Sequence, residues 1–148
     1  MVASRSTREP SGIVKILILT GSLRSDSFSG KLAGAAQDVA PEFHYGIPGP
    51  LKNAIDWASR PAYRSPIKDK ASLSITHSIA PTGGARAELQ LASVLEGSAT
   101  PTFVGPGFSI PAIHEKFDTS GALIDDMTRL RLSKTLEDFC SWAETRQD

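Results

Sequence analysis

The distribution of apolar residues along the chain predicts alternating strands and helices. Residues 13–20 (IVKILILT) are almost continuously apolar and rich in β-branched side chains. This pattern is typical of a strand that is buried on both faces, as in a parallel sheet. A glycine follows at once, and residues 31–40 (KLAGAAQDVA) are rich in alanine with few helix breakers, which predicts a helix. Strand, glycine turn and helix in this order indicate the start of a βαβ unit.

The same alternation continues through the rest of the chain. A helix over residues 51–60 is expected to place Leu51, Ala54, Ile55 and Ala58 on one face. The elements expected around it are a loop at 41–50, a strand at 71–77, a loop at 78–84, a helix at 85–96 capped by Gly97, a short strand at 100–104 and a loop at 105–120. In that last loop the apolar residues are expected to be scattered anchors, namely Phe108, Ile110, Ile113 and Phe117.

The C-terminal part of the chain predicts a long amphipathic helix over residues 125–146. Asp125 and Asp126 near its start suit the positive end of a helix dipole. The predicted apolar face consists of Leu132, Leu136, Phe139, Cys140 and Ala143. Because Cys140 falls within this face, we expect a core thiol and not a nucleophile.

Length and composition indicate one ordinary domain. The chain has 148 residues, of which residues 1–12 are polar and predict a flexible leader, so that the domain is expected to span residues 13–148. Sixteen basic residues balance sixteen acidic residues, which argues against a nucleic-acid partner. The single cysteine excludes an internal disulfide framework and favours a cytoplasmic location. No apolar run approaches the ~20 residues of a membrane-spanning helix, so no membrane partner is expected.

The first loop that suggests chemistry joins the first predicted strand to the first predicted helix. Free backbone N–H groups and the helix dipole favour an anion there. Ser22, Ser25, Ser27 and Ser29 add hydroxyl groups, and Arg24 adds a guanidinium suited to phosphate oxygens. The loop matches neither the Walker A nor the GxGxxG pattern, so a terminal phosphate monoester is favoured over a nucleoside triphosphate. A serine-rich helix cap without any ligand remains the alternative.

Two further loops follow later predicted strands or helices. Residues 41–49 (PEFHYGIPG) combine a rigid proline- and glycine-rich backbone with aromatic side chains, which suits a flat heterocycle. Paired Gly83 and Gly84 would let the backbone approach a ligand closely. The alternative for residues 41–49 is a turn whose aromatic side chains only pack against the protein. The alternative for the two glycines is an ordinary turn before a helix. In doubly wound sheets, ligands bind beyond the carboxyl ends of the strands, where all three loops could lie.

The motifs in these loops resemble those of the NADPH-dependent FMN reductase family, which has the flavodoxin-like α/β fold. The matching segments are GSLR at residues 21–24 with Ser27, residues 41–57 (PEFHYGIPGPLKNAIDW), and GGARA at residues 83–87 through Leu91. The chain departs from the family pattern at four of these positions. Ser29 stands where the family has Asn, Phe43 where it has Tyr, His44 where it has Asn, and Gly46 where it has Ser.

The resemblance implies a flavoprotein that passes electrons from NADPH or NADH through FMN to a small acceptor. The acceptors of this family are quinones, azo dyes, metal oxyanions and free flavins, and a homodimer or homotetramer is expected. The FMN phosphate would be held by Ser22, Arg24, Ser27 and Ser29. The isoalloxazine ring or ribityl chain would be lined by Pro41, Glu42, Phe43, His44 and Tyr45, with Gly83 and Gly84 at the far edge of the ring. No catalytic side chain and no metal site are expected. His44 is expected to pack on the ring, and Trp57 to lie in the core or at a dimer contact.

One departure from the family concerns the fold itself. A second strand, a second helix and most of the third strand are absent between the first predicted helix and the loop at residue 41. At most a stub at residues 38–40 would represent the third strand. A stub of three residues spans only about 10 Å, whereas an ordinary strand spans ~17 Å. The first helix could partly unwind into a strand, a second chain could supply the pairing, or the chain could fold poorly. A remnant without turnover and a flavodoxin-type electron carrier are the alternative functions.

Overall fold

The computed structural model describes residues 39–42, 44–105 and 107–146. The predicted tail at residues 1–12 and the predicted first strand therefore lie outside the described residues. The described part contains, in chain order, β1 (Val39–Pro41), α1 (Gly49–Ala58), β2 (Ile75–His77), α2 (Ala85–Gly97), β3 (Phe108–Ile110), a 3₁₀ turn (Ile113–Glu115) and α3 (Asp126–Glu144).

The three strands form one parallel sheet in the order β1-β2-β3. Pro41 pairs with His77, and His77 pairs with Ile110, so the last residues of the three strands stand side by side. Helical crossovers α1 and α2 join neighbouring strands, which is the connection that parallel pairing requires. The segments that follow all three strands therefore leave the sheet at one edge, its carboxyl edge.

Each face of the sheet has its own apolar cluster. On one face α3 covers the sheet, with Ile75, Phe108 and Phe139 among its buried residues. The other cluster belongs to α1 and α2 and consists of Ile47, Leu51, Ile55, Ala87 and Leu91. This division between two helical layers is typical of an α/β domain.

The predicted helices after residue 48 are confirmed, with small corrections. In α3, Leu132, Phe139 and Ala143 are buried, and Leu136 and Cys140 pack against the same cluster, as the periodicity predicted. Helix α1 begins at Gly49, before the predicted start, because proline is well suited to the first turn of a helix. The prediction for Ala54 was wrong: this residue is exposed, and only Leu51 and Ile55 are buried in α1.

The predicted C-terminal end of the first helix, at residue 40, was wrong. Val39 and Ala40 belong to β1, and so does Pro41, which had been assigned to the following loop. Proline is tolerated here because successive N–H groups of a strand point to opposite sides, and the N–H that donates to β2 is that of Glu42. The predicted stub at residues 38–40 thus corresponds closely to a real strand, which pairs with β2.

Two more predictions in the second half of the chain were wrong. The strand expected at residues 100–104 is reduced to an isolated bridge between Ser72 and Thr102, and the third strand is instead Phe108–Ile110. Gly97 does not cap α2 but is its last helical residue. The helix extends to this point because the N–H and the hydroxyl of Ser98 both donate to the Val94 carbonyl, at 3.2 and 2.8 Å.

Candidate functional site

The segment that follows β1 lies directly against the segment that follows β2. The backbone N–H of Glu42 donates to the carbonyl of His77 at 3.2 Å, which extends the pairing of the two strands by one bond. The Glu42 carboxylate reaches the first turn of α2 and accepts from the N–H of Ala87 at 3.5 Å. Because a carboxylate is stabilised near a helix N-terminus, this contact fixes the loop to α2.

The turn before α2 depends on its two glycines. Both are buried and adopt left-handed backbone angles, with φ of 62° at Gly83 and 90° at Gly84. A Cβ atom on Gly83 would lie 2.9 Å from the Pro111 nitrogen, and one on Gly84 would lie 3.0 Å from Cβ of Thr76. The sequence predicted a close approach to a ligand; the structure shows a close approach to the protein's own sheet. Contact with a ligand through the turn's backbone stays a prediction.

A row of hydrogen-bonded polar side chains lies beneath this turn. Thr76 is completely buried in β2, and its hydroxyl lies 3.4 Å from the Gly83 carbonyl and 3.1 Å from the Ser109 hydroxyl. Ser109 in turn donates to the Glu88 carboxylate at 2.6 Å. These hydrogen bonds join β2, β3 and α2 beneath the glycines. Networks of this kind hold their members in one arrangement. The signal in the sequence is a hydroxyl residue in the middle of both β2 (ITH) and β3 (FSI).

The loop after β1 presents an aromatic ring to the exterior. His44 and Tyr45 adopt left-handed backbone angles, with φ of 44° and 67°, which are uncommon for residues other than glycine. The Tyr45 side chain is 70% exposed, and the Arg86 guanidinium stacks on its ring at 4.2 Å from the centroid. A planar ring and a planar cation at the carboxyl edge provide a surface on which a flat heterocycle can stack.

His77 is a buried residue at the same edge. Burial lowers its pKa from 6.5 to about 4, so its imidazole is neutral at neutral pH. A neutral, enclosed histidine is suited to packing and not to proton exchange with a substrate in solution. Within the described residues, no group of three or more His, Cys, Asp or Glu could hold a metal ion.

The structure thus brings together one part of the predicted site and does not describe the other. Glu42, His44, Tyr45, Gly83 and Gly84 gather at the carboxyl edge, next to Pro41 at the end of β1. The remaining predicted residues lie outside the described residues, namely Ser22, Arg24, Ser27, Ser29 and Phe43. Sequence reasoning missed the contribution of Arg86 and Glu88, which point to the loop and the sheet from the first turns of α2.

Two other features lie away from these loops. A cleft of about 280 Å³ is lined by residues of α3 and β3, and none of the predicted site residues contributes to it. Trp57 is 68% exposed on α1, so the expected core location is wrong, and a dimer contact stays a prediction. Among the helices of the described residues, none is long and apolar enough to cross a membrane.

Comparison with known proteins identifies relatives of this chain. The model of the NADPH-dependent FMN reductase family matches residues 38–115, which include both described loops. An NAD(P)H-dependent FMN reductase of Pseudomonas aeruginosa is 33% identical over 112 residues, covering 76% of this chain and 60% of the relative. An NAD(P)H:quinone oxidoreductase of Solanum tuberosum is 38% identical over 103 residues, covering 66% of this chain and 50% of the relative. A quinone reductase of Escherichia coli is 37% identical over 102 residues, covering 68% of this chain and 54% of the relative.

A solved structure shows the same fold. The flavoenzyme NAD(P)H:(acceptor) oxidoreductase FerB from Paracoccus denitrificans superimposes with a TM-score of 0.65 and 29% sequence identity, covering 78% of this chain and 66% of FerB. The fold class is therefore flavodoxin-like α/β, as predicted. The chain spans between half and two thirds of the length of these relatives, in agreement with a shortened version of the fold.

Proposed function

Because this chain belongs to the NADPH-dependent FMN reductase family, we propose that it is an FMN-dependent NAD(P)H oxidoreductase. In this proposal, electrons pass from NADPH or NADH through bound FMN to a small acceptor such as a quinone, an azo dye, a metal oxyanion or a free flavin. Relatives named as quinone reductases favour a quinone among these acceptors.

The observation that carries the proposal is the meeting of the two predicted ligand-binding loops at the carboxyl edge. Glu42 bonds to both His77 and Ala87, and Arg86 stacks on Tyr45, so the loop after β1 and the turn before α2 form one surface. This is the edge at which doubly wound sheets bind their ligands. An exposed ring, a cation and a glycine turn fit the flat, polar-edged isoalloxazine ring.

Each residue of this surface has a binding or positioning role in the proposal. Tyr45 and His44 would cover the flavin ring, and Gly83 and Gly84 would allow its edge to approach the backbone. The serines at 22, 27 and 29, with Arg24, would hold the phosphate, as the sequence predicts. When bound, FMN supplies the hydride and electron chemistry, so the protein needs only to bind, orient and shield it.

We also propose a soluble, self-associating protein. The exposed Trp57 on α1 supports a contact between two copies, because large exposed aromatic residues are enriched at protein interfaces. A homodimer or homotetramer in the cytoplasm is the expected state, with neither a nucleic acid nor a membrane as partner.

An FMN titration tests the proposed function. Purified protein is titrated into FMN while flavin fluorescence is followed, and the same sample is analysed by size exclusion. NADPH and NADH oxidation is then measured with a quinone as acceptor. We expect saturable binding by a discrete oligomer and acceptor-dependent oxidation. The variant Arg24→Gln should weaken binding, whereas Arg131→Gln on α3 serves as the matched control and should not.

The length of the chain favours one alternative function. Because the chain spans only about half of some relatives, a module that binds FMN without turnover is the second candidate. Saturable binding with no NAD(P)H oxidation would support this alternative. The absence of both binding and oxidation in a well-folded sample would exclude both candidates.

A further inference from the structure

A glutamine on α2 controls the end of the loop that follows β1. The Oε1 atom of Gln90 accepts a hydrogen bond from the backbone N–H of Ile47 at 2.7 Å. Ile47 itself is buried in the α1–α2 cluster. The side chain of Ile47 therefore anchors the loop in the core, while Gln90 holds its backbone.

The glycine at the preceding position leaves space for this hydrogen bond. A Cβ atom on Gly46 would lie 2.6 Å from Oε1 of Gln90, closer than real Cβ contacts allow. A side chain at residue 46 would therefore require the end of the flexible Gln90 side chain to shift, which would alter its hydrogen bond to the Ile47 N–H.

The bond also determines how the loop presents its polar groups. The N–H of Ile47 and the carbonyl of Gly46 belong to one planar trans peptide, in which they point in opposite directions. Holding the N–H therefore fixes the direction of the carbonyl. The two residues just before this peptide, His44 and Tyr45, have left-handed backbone angles and depend on such external support.

Beside the apolar packing of Ile47, Gln90 makes one of several polar contacts that join the first two turns of α2 to the described part of this loop. Two others are the N–H of Ala87 with Glu42 and the Arg86 guanidinium with the Tyr45 ring. We propose that Gln90 is a positioning residue of the flavin-binding loop, and that Gly46 is the residue that admits it. The proposal rests on the proposed function in so far as the loop binds flavin.

The test uses variants that separate hydrogen bonding from packing. Gln90→Leu removes the acceptor at similar size, Gln90→Glu retains an acceptor, and Gly46→Ser restores the family residue but displaces the amide. Ser93→Leu, which also exposes a leucine on α2, is the matched control. The first measurement is hydrogen exchange of the Ile47 amide in the full chain without FMN, followed by NMR. The second is the dissociation constant for FMN.

We expect Gln90→Leu to accelerate exchange of the Ile47 amide roughly tenfold, as for loss of one hydrogen bond, and to weaken FMN binding. Gln90→Glu should restore both properties, and Ser93→Leu should change neither. Gly46→Ser should change both properties in the same direction as Gln90→Leu but by less, because the Gln90 amide can shift. Combining the two should add little to Gln90→Leu alone, because both act on the same contact.

The outcomes distinguish this inference from the proposed function. If the unaltered chain does not bind FMN, the proposed function fails, while Ile47 exchange still tests the hydrogen bond. If exchange accelerates in Gln90→Leu but FMN affinity is unchanged, the positioning role is overturned. Failure of Gln90→Glu to restore Ile47 protection would also overturn it, because the role would then be one of packing.

Discussion

Acidification is expected to destabilise the folded chain through His77. Burial lowers the pKa of this imidazole from 6.5 to about 4 in the folded state. Between these two values the unfolded chain binds more protons than the folded chain, so the free energy of unfolding falls as the pH is lowered. Protonation of His77 therefore leaves the free energy of unfolding unchanged above about pH 7 and lowers it progressively between about pH 6.5 and pH 4.

The structure sets the size of this effect. One pKa unit corresponds to about 1.4 kcal/mol, so the full difference approaches roughly 3 kcal/mol below pH 4. At pH 5 the expected loss is about 2 kcal/mol. Domains of this size are stable by only about 5–15 kcal/mol, so the loss is measurable. The lowered pKa values of the Asp118 and Asp125 carboxyl groups affect stability only at more acidic pH, below the range used here.

Urea unfolding at pH 7.5, 6 and 5 measures the effect. The variant His77→Gln should lose most of the decrease between pH 7.5 and pH 5, whereas His114→Gln, which alters an exposed histidine, should retain it. NMR titration of the His77 ring provides a direct second measurement that does not depend on a variant. The reasoning would be refuted by an equal pH dependence in His77→Gln, or by protonation of the folded His77 ring near pH 6.5.

Three further predictions concern stability. In urea unfolding, Gly84→Ala should lower the free energy of unfolding by about 1–3 kcal/mol, because φ is 90° and the new Cβ meets β2. Gly49→Ala is the control, because its Cβ would meet nothing within 4 Å. Ile55→Ala should cost about 2–5 kcal/mol by leaving a cavity between α1 and α2, measured in the same way. A double-mutant cycle of Arg86→Gln and Tyr45→Leu should give a coupling of about 0.5–1 kcal/mol, and a coupling of zero would contradict the stacking.

The helices of the described part could be predicted because their apolar residues repeat with a clear period. In α3, the spacing of Leu132, Phe139 and Ala143 identified the buried face directly. The strands were harder because each has only three residues, too few for an alternating pattern. The apolar residues Phe108 and Ile110 were recognised as anchors, but nothing local distinguished them from a loop.

The motifs of the site could be recognised in the sequence, but the contacts that hold them could not. Gly83 and Gly84 were singled out correctly as a special turn, yet the atoms that require glycine lie on Thr76 and Pro111, which only the fold brings close. Gln90 likewise carried no signal, because its partner, the Ile47 N–H, is 43 residues away in the chain. Such pairs depend on tertiary packing and not on local pattern.

The contacts from α2 to the loop after β1 have a consequence for how the chain folds. The two hydrogen bonds among them join residues 43 and 45 positions apart, and α1 and β2 lie between the partners in the chain. Contacts of this long range cost loop-closure entropy, and folds rich in them fold more slowly than folds with mainly local contacts. Both partners of each contact nevertheless lie between residues 42 and 90. The entropy cost of closing these two contacts is therefore set by the length of chain between residues 42 and 90, and an insertion between α1 and β2 would raise it.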